Sequence, residues 1–225
     1  MDLTPILAYA ESAGRRIDPD RLALLTQFHT ALYEANSVMN LTRISEAEAI
    51  SKHYLDSLVI SQWIPEGARV LDVGTGPGIP AWPLAWFRPD VEVVAMDGSN
   101  KGLAFLRTQP LPNLTVLQVR AEESSRRESF DFVTGRALAP LPIQMELAAA
   151  FAVVGGLVVP FRTPAERGQV TAFPAKQLGL ELSEIAEAPI PGTDIVRLFP
   201  IFIKRKSTPA QYPRPWGKMK QRPLA

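Results

Sequence analysis

Residues Leu71–Pro80 read LDVGTGPGIP, a buried strand running into a glycine loop and then a helix. Arg69, Val70 and Leu71 lead into the loop as a β-forming run, and Asp72 puts a carboxylate at the strand's carboxyl end. Gly74, Gly76 and Gly78 let the backbone turn sharply and approach a ligand without Cβ clashes. The helix that follows is expected to offer unpaired N–H groups and a positive dipole end to an anionic group. A unit of this kind builds a nucleotide-type cofactor site at the top of a parallel sheet.

The spacing narrows the choice of cofactor. A dinucleotide fingerprint requires G-x-G-x-x-G, whereas from Gly74 the chain reads G-T-G-P-G-I, with Ile79 at the third glycine position. A phosphate-binding P-loop requires G-K-[ST] after four intervening residues, and no such tripeptide occurs. The remaining pattern, acid-x-G-x-G-x-G, resembles the first motif of class I S-adenosylmethionine-dependent methyltransferases. In those enzymes the loop packs against the methionine part of the cofactor, and an acid ending the second strand holds the ribose hydroxyls. Here Val91–Met96 (VEVVAM) makes a good second strand, and Asp97 ends it 23 residues after Gly74. A tight strand–helix turn with an incidental acid would read the same way.

Composition agrees. A chain of 225 residues with 46% apolar side chains forms one domain of ordinary size with a sizeable core. No stretch approaches the roughly 18 apolar residues of a membrane span, and acids stand in the N-terminal segment where a signal peptide needs basic residues. The absence of cysteine fits a cytoplasmic location and excludes disulfides, thiolate metal sites and a cysteine nucleophile. No metal is expected, and without a heptad pattern the chain is expected to be a monomer.

The net charge of +1 conceals an asymmetry. Residues 204–225 carry seven Lys or Arg and no acid, which leaves 17 basic against 23 acidic side chains in the other 203 residues. A basic, proline-studded tail containing Tyr212 and Trp216 suits phosphates and base stacking, although a merely solubilising end has the same composition.

Three parts are expected: a helical N-terminal cap (1–60), an α/β domain (61–203) and a basic C-terminal tail (204–225). The cap shows apolar periodicity at Leu22, Leu25, Phe28 and Leu32, and again at Ile50, Tyr54 and Leu58. Ser45 followed by Glu48 reads as a capping box. From there strands are expected at 70–73, 91–97, 114–119, 130–134 and 157–161, with helices at 78–87, 99–108, 140–153 and 164–178. Residues 180–187 and 195–203 look like a closing antiparallel pair. The whole is a doubly wound, Rossmann-like α/β fold with a helical cap.

Past the loop, Phe130–Thr134 leads into Gly135-Arg136-Ala137 at the catalytic rim of the sheet. Enzymes that methylate exocyclic amines usually place [DNS]-P-P-[YF] there, to accept hydrogen bonds. Arg136 has only donors, in a planar fork. It suits an acceptor-rich target such as the O6/N7 edge of guanine, or the carboxylate of the cofactor.

Taken together, the motifs resemble the RsmG (GidB) family of bacterial 16S rRNA 7-methylguanosine methyltransferases over nearly the full length. The matching pieces are Asn40-Leu41-Thr42, His53–Leu58, Leu71–Pro80, Asp97-Gly98-Ser99 with Lys101 and Phe105-Leu106-Arg107, Ala121-Glu122-Glu123, Arg136-Ala137, and Tyr212-Pro213-Arg214 with Pro223-Leu224. The resemblance implies contacts to S-adenosylmethionine, and to its product S-adenosylhomocysteine, from Gly74, Ile79, Ala121, Glu122 and Arg136. The loop residues Asp72, Gly76 and Gly78 and the acid Asp97 complete the expected cofactor set. Arg136 is also the candidate catalytic residue. The implied substrate is a guanine in the decoding-region loop of 16S rRNA in the small ribosomal subunit. His53, Arg162, Arg214, Trp216, Lys218 and Lys220 are the candidate RNA contacts, while His29 in its amphipathic helix is expected to be structural.

The chain departs from the family pattern at Gly135, where Ser is usual, at Gly102, where Arg is usual, and at Arg162-Thr163, where Lys-Gly is common. Guanine N7 has an in-plane lone pair and no proton to lose, so attack on the sulfonium methyl needs orientation and no general base. Two other readings share parts of this sequence. A small-molecule methyltransferase would not need the basic tail, and a non-catalytic rRNA-binding or assembly protein would not need the intact loop.

Overall fold

The computed structural model describes residues 1–225. Seven strands form one sheet: β1 (Arg69–Val73), β2 (Glu92–Asp97), β3 (Leu114–Gln118), β4 (Phe130–Thr134), β5 (Ala152–Val158), β6 (Leu180–Pro189) and β7 (Val196–Lys204). Their order is β3-β2-β1-β4-β5-β7-β6, with β1–β5 parallel and β7 antiparallel to both its neighbours. The order reverses at β1, so the glycine loop after it opens at the topological switch point.

The alternation along each strand sorts side chains onto two faces. Val70, Val93, Ala95, Phe132, Phe199 and Ile201 face one core, together with α4 (Ala81–Phe87) and α5 (Asn100–Leu106). Leu71, Val73, Met96, Val133 and Phe202 face the other, covered by α6 (Leu141–Ala149) and α7 (Arg167–Ala172). The cap is not a separate body. Ile6 of α1 (Thr4–Ser12), Leu25 and Phe28 of α2 (Pro19–Met39), and Tyr54 belong to the first of these cores. Phe28 stacks on Trp82 of α4 with ring centroids 3.9 Å apart. Asn40 ends α2 in the left-handed conformation that its short polar side chain tolerates (φ 50°).

The Ser45–Glu48 capping box forms as expected. It opens a single 3₁₀ turn, after which Ile50–Leu55 winds as a π-helix into α3 (Asp56–Leu58). The wide π turn brings His53, Tyr54 and Asp56 all into the buried interior.

Three boundaries differ from expectation. The helix expected over 140–153 stops at Ala149, and β5 covers 152–158 instead of 157–161. An apolar run such as AAAFAVV fits a buried helix or a buried strand equally well, and here Val153 and Val154 go to the strand. The helix expected over 164–178 breaks at Phe173-Pro174, because proline removes a donor and disfavours helix in the residue before it. Helix α4 starts at Ala81, three residues after the expected position, because the turn at Thr75–Pro80 takes up the intervening chain.

The tail does not project. Lys204 ends β7 fully buried, and residues 216–221 form α8 (Trp216–Gln221) packed through Met219 on Ile143 and Leu147 of α6. Arg214 binds the buried Glu146 of α6 through its backbone N–H at 2.8 Å, Nε at 2.9 Å and Nη2 at 2.6 Å. No helix is long and apolar enough to cross a membrane.

Candidate functional site

A cleft of about 440 Å³ opens at the carboxyl ends of β1–β3, lined by Gly74, Asp97, Ser99, Ala121, Glu122 and, on its apolar side, Met96, Leu138, Leu147 and Trp216. Its size falls in the ordinary range for small-molecule sites, about 300–1,000 Å³. Asp97 accepts the Gly76 N–H on Oδ2 at 2.9 Å and the Ser99 N–H on Oδ1 at 2.7 Å, which holds its carboxylate in the mouth of the cleft.

The glycine loop spends its own donors internally. The N–H groups of Gly74 and Thr75 go to the Met96 carbonyl, and those of Gly78 and Ile79 go to the Thr75 carbonyl. Gly76 serves Asp97, and Pro77 has no N–H. The first N–H of α4, at Ala81, is taken by the buried Asp72 carboxyl at 3.2 Å. The expected anion site at this helix end is therefore filled by the protein's own acid. No fan of amides remains for a phosphate, while an acid remains for hydroxyl groups and a cation. This donor set fits S-adenosylmethionine: Asp97 for the ribose, the Leu138, Leu147 and Trp216 wall for the adenine, and a loop without phosphate donors beside a sulfonium.

Of the residues expected around the cofactor, Gly74, Asp97, Ala121 and Glu122 line this cleft. Asp72, Gly76, Gly78, Ile79 and Arg136 do not line it. Asp72 and Ile79 are buried beneath the loop. At Gly78 a Cβ would lie 2.4 Å from Leu106 of α5, so that glycine serves packing. Gly102, the departure in α5, has a similar cause: a Cβ there would lie 2.3 Å from the Gly76 carbonyl. Gly102→Ala should push the loop and weaken cofactor affinity about tenfold, the effect expected when a backbone clash must be relieved by moving the loop (~1–3 kcal/mol). Calorimetric titration with S-adenosylhomocysteine reads this directly, and unchanged affinity would show that α5 yields instead.

Burial pushes Asp72 up from 3.8 to about 7, with its Ala81 bond opposing the shift, and holds His53 down from 6.5 to about 3. These groups act on stability with opposite signs. Between about pH 4 and 7 the folded chain retains a proton on Asp72 that the unfolded chain has lost. Its contribution therefore declines as pH rises, by up to about 1.4 kcal/mol per unit. His53 stays neutral when folded, so its contribution declines as pH falls from about 6.5 toward 3. Asp72→Asn removes the first effect alone. The stability of that variant relative to the parent should climb from pH 4 to 7 in urea unfolding, and a constant difference would refute a neutral buried Asp72.

Arg136 lines a second cleft, with Lys52, Arg162, Thr163 and Arg197. Ala137 between the two clefts has φ 54°, and this left-handed turn sends Arg136 to one cleft and Leu138 to the other. The Arg136 guanidinium donates to the Lys52 carbonyl at 2.8 Å, to Asp56 Oδ2 at 2.9 Å and to His53 Nδ1 at 3.3 Å. Asp56, 1% exposed, also accepts from Arg197 Nε at 2.7 Å and Nη2 at 2.8 Å. One buried carboxylate of the cap thus holds two arginines, from the β4 rim and from β7.

Four expected RNA contacts need correction or relocation. His53 is 2% exposed with its Nε2 on Thr42 Oγ1 at 2.9 Å, so it orients Arg136 and is closed to RNA. Arg214 is spent on Glu146. Arg162 is 6% exposed and bonded to the Ala139 carbonyl, Gln144 and Glu166, so it shapes the second cleft from beneath. Trp216 stands in the wall of the first cleft. Lys218 and Lys220 are exposed on α8. Arg197 is a functional candidate that motif reading missed, and Asp56, inside the matched segment His53–Leu58, was given no role there. An arginine inside the apolar run VRLFPIF was the available signal, as was Asp56 inside YLDSLVI.

Residues 21–185 match the family model described as rRNA small subunit methyltransferase G. A protein of that name from Moorella thermoacetica is 34% identical over 97% of each chain. The chain belongs to the rRNA small subunit methyltransferase G family. Another family member, from Lachnoclostridium phytofermentans, is 36% identical over 95% of this chain and 93% of its own. In fold alone, the chain is similar to a TehB-like S-adenosylmethionine-dependent methyltransferase from Corynebacterium glutamicum, with a TM-score of 0.55 at 18% identity, covering 78% of this chain and 98% of that one. The fold is that of class I S-adenosylmethionine-dependent methyltransferases, as the glycine loop implied, and the family is the one its motifs resembled.

Proposed function

We propose that this protein transfers the methyl group of S-adenosylmethionine to N7 of a guanine in 16S rRNA of the small ribosomal subunit, acting as a cytoplasmic monomer. The family membership supports rRNA as the substrate. The observation that carries the chemistry is the pairing of the two clefts across Ala137, one lined by Asp97 and Glu122 over a loop whose amides are already committed, the other lined by Lys52, Arg136 and Arg197.

When bound, the cofactor supplies an electrophilic methyl on a sulfonium. Gly74, Asp97, Ala121 and Glu122 hold it in the first cleft. Arg136 uses three of its five N–H donors within the protein, which fixes its plane and leaves two for the target. Donation to guanine O6 orients the base while leaving the N7 lone pair free, and excluding water around N7 completes the arrangement. Neither Asp56 nor His53 is placed to move a proton, and N7 methylation needs none moved. Lys218 and Lys220 meet the RNA backbone. The target base leaves its stack to reach the cleft, which favours an exposed loop.

The test is methyl transfer from labelled S-adenosylmethionine to small-subunit particles that lack the modification, followed by chemical mapping of the labelled base. Label at N7 of one guanine is expected. Cofactor binding without transfer to rRNA would overturn the substrate and leave the fold standing. The tail cannot be removed at Ile203 as a probe of RNA binding, because the cut deletes the buried Lys204, Met219 and Leu224.

A further inference from the structure

Trp216 stands between two spaces. On one side it closes the cofactor cleft with Leu138 and Leu147. On the other it walls a largely apolar groove of about 370 Å³, bounded by Pro140, Ile143, Lys220 and Pro223. The half-buried indole is carried on α8, which Met219 and the Arg214–Glu146 pair anchor to α6. The other three tryptophans have no such placement: Trp82 and Trp86 are buried, and Trp63 packs on Phe199 at 5.0 Å.

We propose that Trp216 binds both reactants, one side of its indole stacking on the cofactor's adenine and the other on an unpaired RNA base in the groove, so that each ligand tightens the other. This rests on the methyltransferase reading above and deepens it. The groove suits a base flanking the target guanine: apolar walls and an aromatic face accept any base by stacking, and Lys220 at the rim with Lys218 beyond it meets the adjoining phosphates. Either ligand fixes the indole in the position the other requires. The second ligand then bears less of the ordering cost, and the coupling is reciprocal. The expected assignment of Trp216 to RNA alone therefore becomes an assignment to both ligands.

The experiment uses the full chain and titrates S-adenosylhomocysteine with and without saturating unmodified 16S rRNA, following tryptophan fluorescence and calorimetry. Trp216→Leu keeps the apolar packing and should weaken S-adenosylhomocysteine about tenfold, as loss of one aromatic stacking partner does. Trp216→Phe should recover most of that affinity, and the fluorescence change on binding should vanish in both variants. The rRNA should tighten S-adenosylhomocysteine in the parent and leave its affinity unchanged in Trp216→Leu. Parental affinity in Trp216→Leu, or equal tightening by rRNA in both proteins, would overturn the proposal. A parent that fails to bind S-adenosylhomocysteine would instead defeat the methyltransferase reading beneath it.

Discussion

Replacing Asp56 with alanine should destabilise the fold by about 3–5 kcal/mol, the usual cost of removing one partner from a buried ion pair, and should abolish methyl transfer. Asp56 is 1% exposed, and its carboxylate accepts three hydrogen bonds from two guanidinium groups, one from Arg136 and two from Arg197. Without it, both cations remain in a partly desolvated cleft, and their mutual repulsion replaces a shared attraction. Arg136 would keep the Lys52 carbonyl and His53, too little to fix its plane. The measurements are urea unfolding at pH 7 and single-turnover methyl transfer. Asp56→Asn separates the two effects, since it keeps the volume and one acceptor while removing the charge. It should regain part of the stability but little of the activity. A loss under about 1 kcal/mol in Asp56→Ala would show that solvent already screens these cations, as it does at exposed pairs.

The sequence was most legible where a local pattern has one physical solution. The loop at Gly74–Gly78 has few alternatives, because its glycines at φ 76°, 58° and 98° occupy a region closed to most other residues. The acid at the end of β2 and the β-forming runs of β1 and β2 were equally direct. The structure gives some of the same residues different duties. Asp72 and Gly78 belong to the motif, yet one caps α4 and the other admits Leu106. A motif records which residue types a loop needs, and packing needs are recorded in the same letters as ligand contacts.

Charge was the less reliable guide. The tail's seven cations read as an RNA-binding surface, but partners distant in sequence decide which of them remain available. Glu146, 68 residues before Arg214, stands in a largely apolar helix, and nothing local to the tail announces it. Lys204 is enclosed by the Ala149 and Leu178 carbonyls in the same way. The link among Asp56, Arg136 and Arg197 joins residues up to 141 positions apart, so it exists only once the sheet has ordered β4 beside β5 and β5 beside β7.

Asp97→Ala should weaken S-adenosylhomocysteine by at least about 100-fold, and labelled S-adenosylmethionine should no longer crosslink to the chain. Two hydrogen bonds from ribose hydroxyls to a carboxylate contribute about 1.5–3 kcal/mol each, and every 1.4 kcal/mol is tenfold. The loop cannot compensate, since its N–H groups are already committed to Met96, Thr75 and Asp97 itself. Alanine also releases the Gly76 and Ser99 amides, so the loop loses the tie that holds it to the end of β2. The fold should tolerate this better than the site does, because Gly76 is only half-buried and water can replace the lost acceptor. Urea unfolding should therefore change little while affinity collapses, a split that marks a binding residue and separates Asp97 from Asp56. Asp97→Asn should fall between, as the amide oxygen can accept from one backbone N–H but brings no charge to the hydroxyls. Affinity within threefold of the parent in Asp97→Ala would remove Asp97 from the cofactor site and leave it as a brace for the glycine loop.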